Sequence, residues 1–161
     1  RDLFQLVDDA RGVRVIYTGR GMSNLDVLDE AAVVSKYGIL PAQYADFAVL
    51  RGDASDGLPG VAGIGEKTAA SLLAAHGDLA AIASAAERGE GMTAGVRAKI
   101  VAATEYLAVA SRVVEVVRGL PVPAVDARLR TPDPAGLEAI AAAWNLGTPL
   151  DRAATAIAAR A

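Results

Sequence analysis

The residues that end helices constrain this chain most. Between Asp29 and Gly77 the sequence repeatedly sets a helix-starting residue, a short run rich in alanine, and then a glycine. Asp29 can N-cap a helix to about Tyr37, which Gly38 stops, and Pro41 fits the first turn of a second helix with Gly52 beyond its end. A third helix runs from Glu66 to about His76 and stops at Gly77, after which Asp78 caps a short helix, Leu79–Ala86. A chain cut in this way folds as short helices joined by tight connections. Hydrophobic residues make up 53% of it, and because much of that is alanine, helix is favoured over strand.

Beyond the loop "RGEGM", Thr93 can cap a long helix to about Ser111. Asp133-Pro134 starts another to about Trp144, and Pro149 begins the last. Two β-branched runs, "GVRVIYT" (Gly12–Thr18) and "VVEVVR" (Val113–Arg118), are strand candidates, and "LDVL" opens the segment before Asp29 as a further one. Strands this few need partners. The opening "RDLFQLVDD" has no Met and goes directly into an amphipathic pattern, so the sequence reads as a fragment of a longer protein.

Composition excludes several classes. A length of 161 residues suits one domain with a small appendage and suffices to bury a core. The formal charge of −3, from 16 Lys and Arg against 19 Asp and Glu, argues against a non-specific nucleic-acid coat but leaves room for a local basic groove. There is no cysteine, which excludes disulfides and cysteine-ligated zinc and is compatible with a reducing cytoplasm. No apolar run reaches membrane-spanning length, and no signal peptide opens the chain.

The stretch "RGDASDGLPGVAGIGEKTAASLLAAHG" (Arg51–Gly77) concentrates the chemistry. It is not a nucleotide-binding P-loop: Glu66 separates Gly65 from Lys67, and "SDGLPG" stands where a buried strand is required. Gly63 and Gly65 would let backbone N–H groups approach a ligand, and the helix from Glu66 adds free N–H groups and the positive end of its dipole. Together they would make a sequence-independent phosphate site with Lys67 nearby; the alternative is a tight interhelical turn and nothing more. Asp53 and Asp56 are either solvated loop acids, with Asp56 as an N-cap, or ligands for a hard divalent ion. An acid pair beside a backbone phosphate site is what metal-assisted phosphodiester hydrolysis needs.

The segments "RDLFQLV", "KYGILPAQYADFAVLRGDASDGLPGVAGIGEKTAASLL" and "VRAKI" resemble the bacterial 5′–3′ exonuclease and flap endonuclease family, which includes the nuclease domain of bacterial DNA polymerase I. The likeness covers nearly the whole chain; it is strongest from Lys36 to Leu73 and weak after about Leu120. It implies an α/β, predominantly helical fold: the C-terminal part of a 5′-nuclease (PIN-like) fold with a mixed sheet and a helix–three-turn–helix element. The implied division is residues 1–40 for the end of the catalytic sheet domain, 41–112 for the DNA-binding region, and 113–161 for a strand returning to the sheet followed by helices. By the same resemblance Asp2, Asp53 and Asp56 are catalytic acids holding Mg²⁺ or Mn²⁺, two ions in all. Gly63, Ile64, Gly65 and Lys67 match the DNA-binding hairpin, and carbonyls around Val61 and Ile64 would hold a K⁺. The family's other N-terminal carboxylates and its basic arch are not in this chain.

Arg97 and Lys99 open a helix after a loop, either as a solvated face or, as in similar nucleases, against the DNA backbone. Arg20 and Arg51 are weaker candidates for phosphate contacts. His76 fits a helix-end role, Tyr106 and Trp144 fit the core, and Asp8 and Asp9 end the first helical region. The leading expectation is a metal-dependent 5′–3′ exonuclease or flap endonuclease, a monomer in the cytoplasm that joins the nucleoid while acting on duplex DNA with a 5′ end or flap. The family occurs both alone and joined to a DNA polymerase. The rivals are a non-catalytic duplex-binding module that uses the hairpin alone, and a helical interaction domain in which the glycines are purely structural.

Overall fold

The computed structural model describes residues 1–126 and 128–160, and the chain divides into two compact units, Arg1–Arg118 and Gly119–Ala161. The first unit starts with a 3-10 turn, Asp2–Leu6, and a two-stranded antiparallel sheet, β1 (Val15–Tyr17) and β2 (Asp26–Leu28), with Ile16 opposite Val27. Helices α1 (Glu30–Tyr37), α2 (Tyr44–Arg51), α3 (Glu66–His76), α4 (Leu79–Arg88), α5 (Ala94–Ala102) and α6 (Thr104–Val114) follow. The second unit contains α7 (Pro134–Trp144) and α8 (Thr148–Ala158). No single helix among the described residues is long and apolar enough to cross a membrane.

The punctuation works as the sequence implies. The Asp29 carboxylate accepts from the Ala32 N–H at 2.8 Å, that of Asp78 from Ala81 at 2.8 Å, and the Thr93 hydroxyl from Val96 at 3.3 Å. Each supplies an acceptor to a helix-end N–H that has no partner within its helix. Gly38 ends α1 with φ of 70°, the left-handed conformation that a side chain would oppose.

Helix α2 is the centre of the core. Phe47, Ala48, Val49 and Leu50 are fully buried in succession, and α3 and α6 both pack against the helix. Tyr44, Ala45 and Phe47–Leu50 are all buried, so apolar neighbours surround most of the helix, with Asp46 and Arg51 as its only charged side chains. Phe4, two residues after Asp2, is also fully buried, with its ring centroid 5.4 Å from those of both Tyr17 and Tyr44 in edge-to-face arrangement. Buried Gln5 beside it donates to the Val114 carbonyl at 2.9 Å. These two contacts fix the turn that carries Asp2.

Four expectations need correction. The helix expected from Thr93 to Ser111 breaks at Ala103 (φ −96°, ψ 8°), which lets α5 pack against α4 and α6 against α2. The expected strand Val113–Arg118 does not form, because α6 continues through Val114, buried on the same helical face as Leu107 and Ala110. The residues after it are held by Gln5 instead of by a ladder: the Val116 N–H donates to its side-chain oxygen at 3.3 Å and Arg118 to its carbonyl at 2.8 Å. The expected mixed sheet is, among the described residues, only the β1–β2 pair. Trp144 is 76% exposed rather than core. It ends a helix so uniformly apolar that periodicity could not choose an inner face, and no residue of α7 is buried.

Candidate functional site

Asp53 and Asp56 lie in a six-residue knot. The Asp53 N–H donates to the Leu58 carbonyl at 3.0 Å and the Leu58 N–H returns to the Asp53 carbonyl at 2.9 Å. Between them Ala54–Asp56 form a 3-10 turn, closed by Gly57 at φ 70°. Asp53, not Asp56, caps this turn: its Oδ1 accepts from the Ser55 N–H at 3.0 Å. One carboxylate oxygen from each of Asp2, Asp53 and Asp56 lies within 4.8 Å of the other two. The expected acids therefore converge, Asp2 from the N-terminal turn and the other two from the knot.

The electrostatics of the three acids differ. Asp53 is only 8% exposed, and its carboxyl is held below the usual range, first by the Ser55 hydroxyl, then by the Ser55 N–H and the Arg51 guanidinium, against the opposing effect of burial. Asp56 is pushed up, chiefly by the negative charge of Asp2, with desolvation and Asp53 adding to it. Carboxylates crowded enough to repel one another, with oxygens within reach of a single centre, fit a hard divalent cation. The donor set passes that test.

The Asp53 shift makes a testable prediction. A carboxyl lowered in the fold contributes stability that is full above the unfolded value of about 3.9 and is lost as pH falls through the lower folded value. Ser55→Ala removes the main cause, so the Asp53 titration seen by carboxyl-carbon NMR should move up toward the ordinary value. An unmoved titration would rule out the Ser55 hydroxyl as the cause.

The knot leads into the hairpin. Buried Val61 and Ile64 anchor it from below, and the Val61 N–H donates to the Leu50 carbonyl at 2.9 Å. The Tyr106 hydroxyl, delivered by α6, donates to the Val49 carbonyl at 2.9 Å and accepts from the Gly60 N–H at 3.2 Å. With those side chains turned inward, Ala62, Gly63 and Gly65 are exposed. A Cβ on Gly65 would meet nothing within 4 Å, and no side chain caps the start of α3. The first N–H groups of α3 thus face open space beside exposed Lys67.

The remaining candidates separate. The Lys99 ammonium donates to the Gly63 carbonyl at 2.9 Å, tying α5 to the hairpin. Arg97 lies elsewhere: its Nε donates to the Ala86 carbonyl at 2.7 Å and its Nη2 to Glu87 at 3.3 Å, capping the carboxyl end of α4. Arg20 pairs with Asp26. The Val61 carbonyl already accepts from the Ile64 N–H at 2.9 Å, which leaves it one lone pair. Sequence reasoning missed the roles of Ser55, Tyr106 and the Arg51 ion pairs. The Ser55 contact had a local signal, since an Asp side chain commonly bonds the backbone two residues on. The Tyr106 contact, 46 residues from Gly60, had none.

A carboxylate knot running into a buried-anchor hairpin between two helices, inside a mostly helical unit, belongs to the SAM-like class of folds. Residues 39–135 match the family described as 5′-3′ exonuclease, C-terminal SAM fold, and the chain belongs to that family. It is 52% identical over 162 residues to a 5′-3′ exonuclease of Streptomyces coelicolor, covering 99% of this chain and 54% of that protein. A 5′-3′ exonuclease of Mycobacterium tuberculosis is 51% identical over 129 residues, covering 76% of this chain and 40% of that protein. The thermostable DNA polymerase I of Thermus aquaticus is 35% identical over 150 residues, covering 93% of this chain but 17% of the polymerase. The chain thus spans about half the length of the exonucleases it matches.

Proposed function

We propose that this chain is the hairpin-bearing part of a metal-dependent 5′–3′ exonuclease or flap endonuclease that hydrolyses DNA phosphodiester bonds. The observation that carries this reading is the convergence of Asp2, Asp53 and Asp56 on one side of a knot whose other end is the open hairpin. Bound at these carboxylates, Mg²⁺ or Mn²⁺ would supply a water of lowered pKa and neutralise charge developing on the phosphate. Asp53, fixed by Ser55, sets the position of the cluster, and Asp2 and Asp56 complete it. Three carboxylates are few for two ions, and in the two-ion version of this reading the remaining ligands lie outside residues 1–161.

The hairpin binds the duplex backbone without reading bases. Its exposed N–H groups and the amino end of α3 accept a phosphate, with Lys67 as a mobile charge beside it. Lys99 holds the hairpin in shape through Gly63, and a K⁺ at the Val61 and Ile64 carbonyls would bridge to the DNA. We assign residues 41–112 to this role and residues 1–40 to the acid-bearing side. The setting is the bacterial cytoplasm, at the nucleoid during action, as a monomer alone or joined to a DNA polymerase.

Gly65→Val tests the hairpin directly. Gly65 has extended backbone (φ −98°, ψ −177°) and open space around its Cβ position, so the fold tolerates the substitution. The new bulk stands where the phosphate would approach, so duplex affinity should fall about tenfold or more for every sequence alike, the cost of roughly one charge-assisted contact. Lys67→Ala should cost less and lower the salt-dependence slope by about one phosphate contact. Fluorescence anisotropy with several unrelated duplexes measures both. A loss confined to particular base sequences, or none, would defeat the backbone-binding reading.

A further inference from the structure

Arg51 stands between the acid cluster and the hairpin helix. Its Nη2 lies 3.2 Å from Asp53 Oδ2 and its Nη1 lies 3.0 Å from Glu66 Oε1. Its Nε donates to the Gly52 carbonyl at 3.1 Å, and the guanidinium lies over the Phe47 ring, 5.0 Å from the centroid. A cavity of about 600 Å³ is lined by Asp2, Arg51, Asp53, Ser55 and Glu66 together, so the two anions that Arg51 holds open onto one space.

Asp53 has little coordination capacity left. Its Oδ1 accepts from both the Ser55 N–H at 3.0 Å and the Ser55 hydroxyl at 2.5 Å, and its Oδ2 accepts from Arg51. A carboxylate has about four acceptor positions, so the one remaining on Asp53 lies beside the guanidinium. A divalent ion there meets a fixed positive charge at short range. The Glu66 side chain is 65% exposed and free to follow a small shift of the guanidinium across the Phe47 ring.

We propose that Arg51 is the resident counter-cation of the acid cluster, exchanged from Asp53 toward Glu66 when a divalent ion binds. One guanidinium then links cation occupancy to neutralisation of the acidic residue at the first turn of α3, beside the phosphate site. This rests on the metal reading above. It also separates from a purely structural strut by sign. A strut that orients Asp53 would, when removed, weaken cation binding, whereas removing a competing cation strengthens it.

The test is Mn²⁺ titration of the purified protein without DNA, with free Mn²⁺ followed by electron paramagnetic resonance. Arg51→Met keeps an apolar stem without the charge and should bind Mn²⁺ about three- to tenfold more tightly, the size of a partly screened charge interaction. Arg51→Lys, which keeps the charge, should stay near wild type. Glu66→Gln, at an exposed side chain and so harmless to folding, should weaken Mn²⁺ binding because the guanidinium is left with Asp53 alone. In the Arg51→Met background the same Glu66→Gln change should have a smaller effect, since contacting residues in one network do not act additively. Equal or weaker Mn²⁺ binding by Arg51→Met, an equal Glu66→Gln effect in both backgrounds, or no weakening by Glu66→Gln alone would overturn the proposal. Asp56→Asn serves as the control. If Asp56→Asn lowers Mn²⁺ affinity while Arg51→Met does not raise it, only the exchange fails; if Asp56→Asn changes nothing, the metal reading falls and takes the exchange with it.

Discussion

If the proposed function holds, Asp56→Asn in the full-length protein should reduce Mg²⁺-dependent cleavage of 5′-labelled flap DNA by at least about a hundredfold, since even partners that only orient metal ligands cost 10–100-fold when changed. Duplex binding in Ca²⁺ should survive, because the hairpin proposed to carry it is held by Val61, Ile64, Tyr106 and Lys99 rather than by the acids. The same variant makes a prediction of opposite sign for stability. Asp56 is raised in the fold, mainly by Asp2, so relative to the unfolded chain its contribution is full below the unfolded value of about 3.9 and is lost as pH rises through the raised value. At neutral pH the folded protein carries the uncompensated repulsion. Removing the charge should therefore raise the melting temperature in EDTA and abolish the further rise expected with Mg²⁺ in the wild type. A variant that cleaves at full rate would end the assignment of Asp56 as a ligand. One that melts lower in EDTA would show that the repulsion is not there.

Gly60→Ala is expected to be the most damaging single methyl in the chain's central segment. Gly60 has φ 74°, and a Cβ there would stand 2.6 Å from the Arg51 carbonyl carbon and oxygen and from the Gly52 nitrogen. These are backbone atoms, which no rotamer change can move. The left-handed conformation alone costs about 1–2 kcal/mol for a residue with a Cβ, and the clash adds to it. Gly52, at φ 91°, faces the same crossing from the other side, where a Cβ would lie 2.9 Å from the Pro59 carbonyl oxygen. The crossing fixes both the knot and the hairpin, so Gly60→Ala should lower stability in urea denaturation and weaken duplex binding together. Gly65→Val should do only the second. If Gly60→Ala leaves the denaturation midpoint where it was, the two segments are not in the contact that the structure gives them.

The contrast between these glycines shows what a single sequence can carry. The helix ends were readable because caps are local: Asp29, Asp78 and Thr93 each bond a backbone N–H three residues on, and Gly38 accommodates a backbone conformation determined within one turn. Asp53 and Asp56 were readable as a pair for the same reason, since three residues of spacing on a tight turn keep two carboxylates close. That Asp2 would join them was not readable from spacing. It came from the family resemblance, and its convergence with the pair depends on Phe4 and Gln5 being anchored by residues as distant as Val114.

Elsewhere the local signal pointed to the wrong partner. The β-branched run Val113–Arg118 has strand propensity, but Val114 also completes the buried face formed by Leu107 and Ala110, and packing outweighs a propensity spanning only about 1 kcal/mol. Arg97 and Lys99 sit two residues apart on one helix, yet one caps α4 and the other holds the hairpin, because a short helix turns about 100° per residue and the two face different neighbours. The sequence by itself determined the helix ends from Asp29 to Asp78, the closeness of the two central acids, and the glycines of the hairpin, all of which are settled within a few residues along the chain. Only the tertiary structure decided that Arg51 reaches both Asp53 and Glu66, that Tyr106 clamps Gly60 to Val49, and that the acid knot opens toward the hairpin, because those contacts depend on how α2, α3 and α6 pack and no stretch of a few residues encodes that packing.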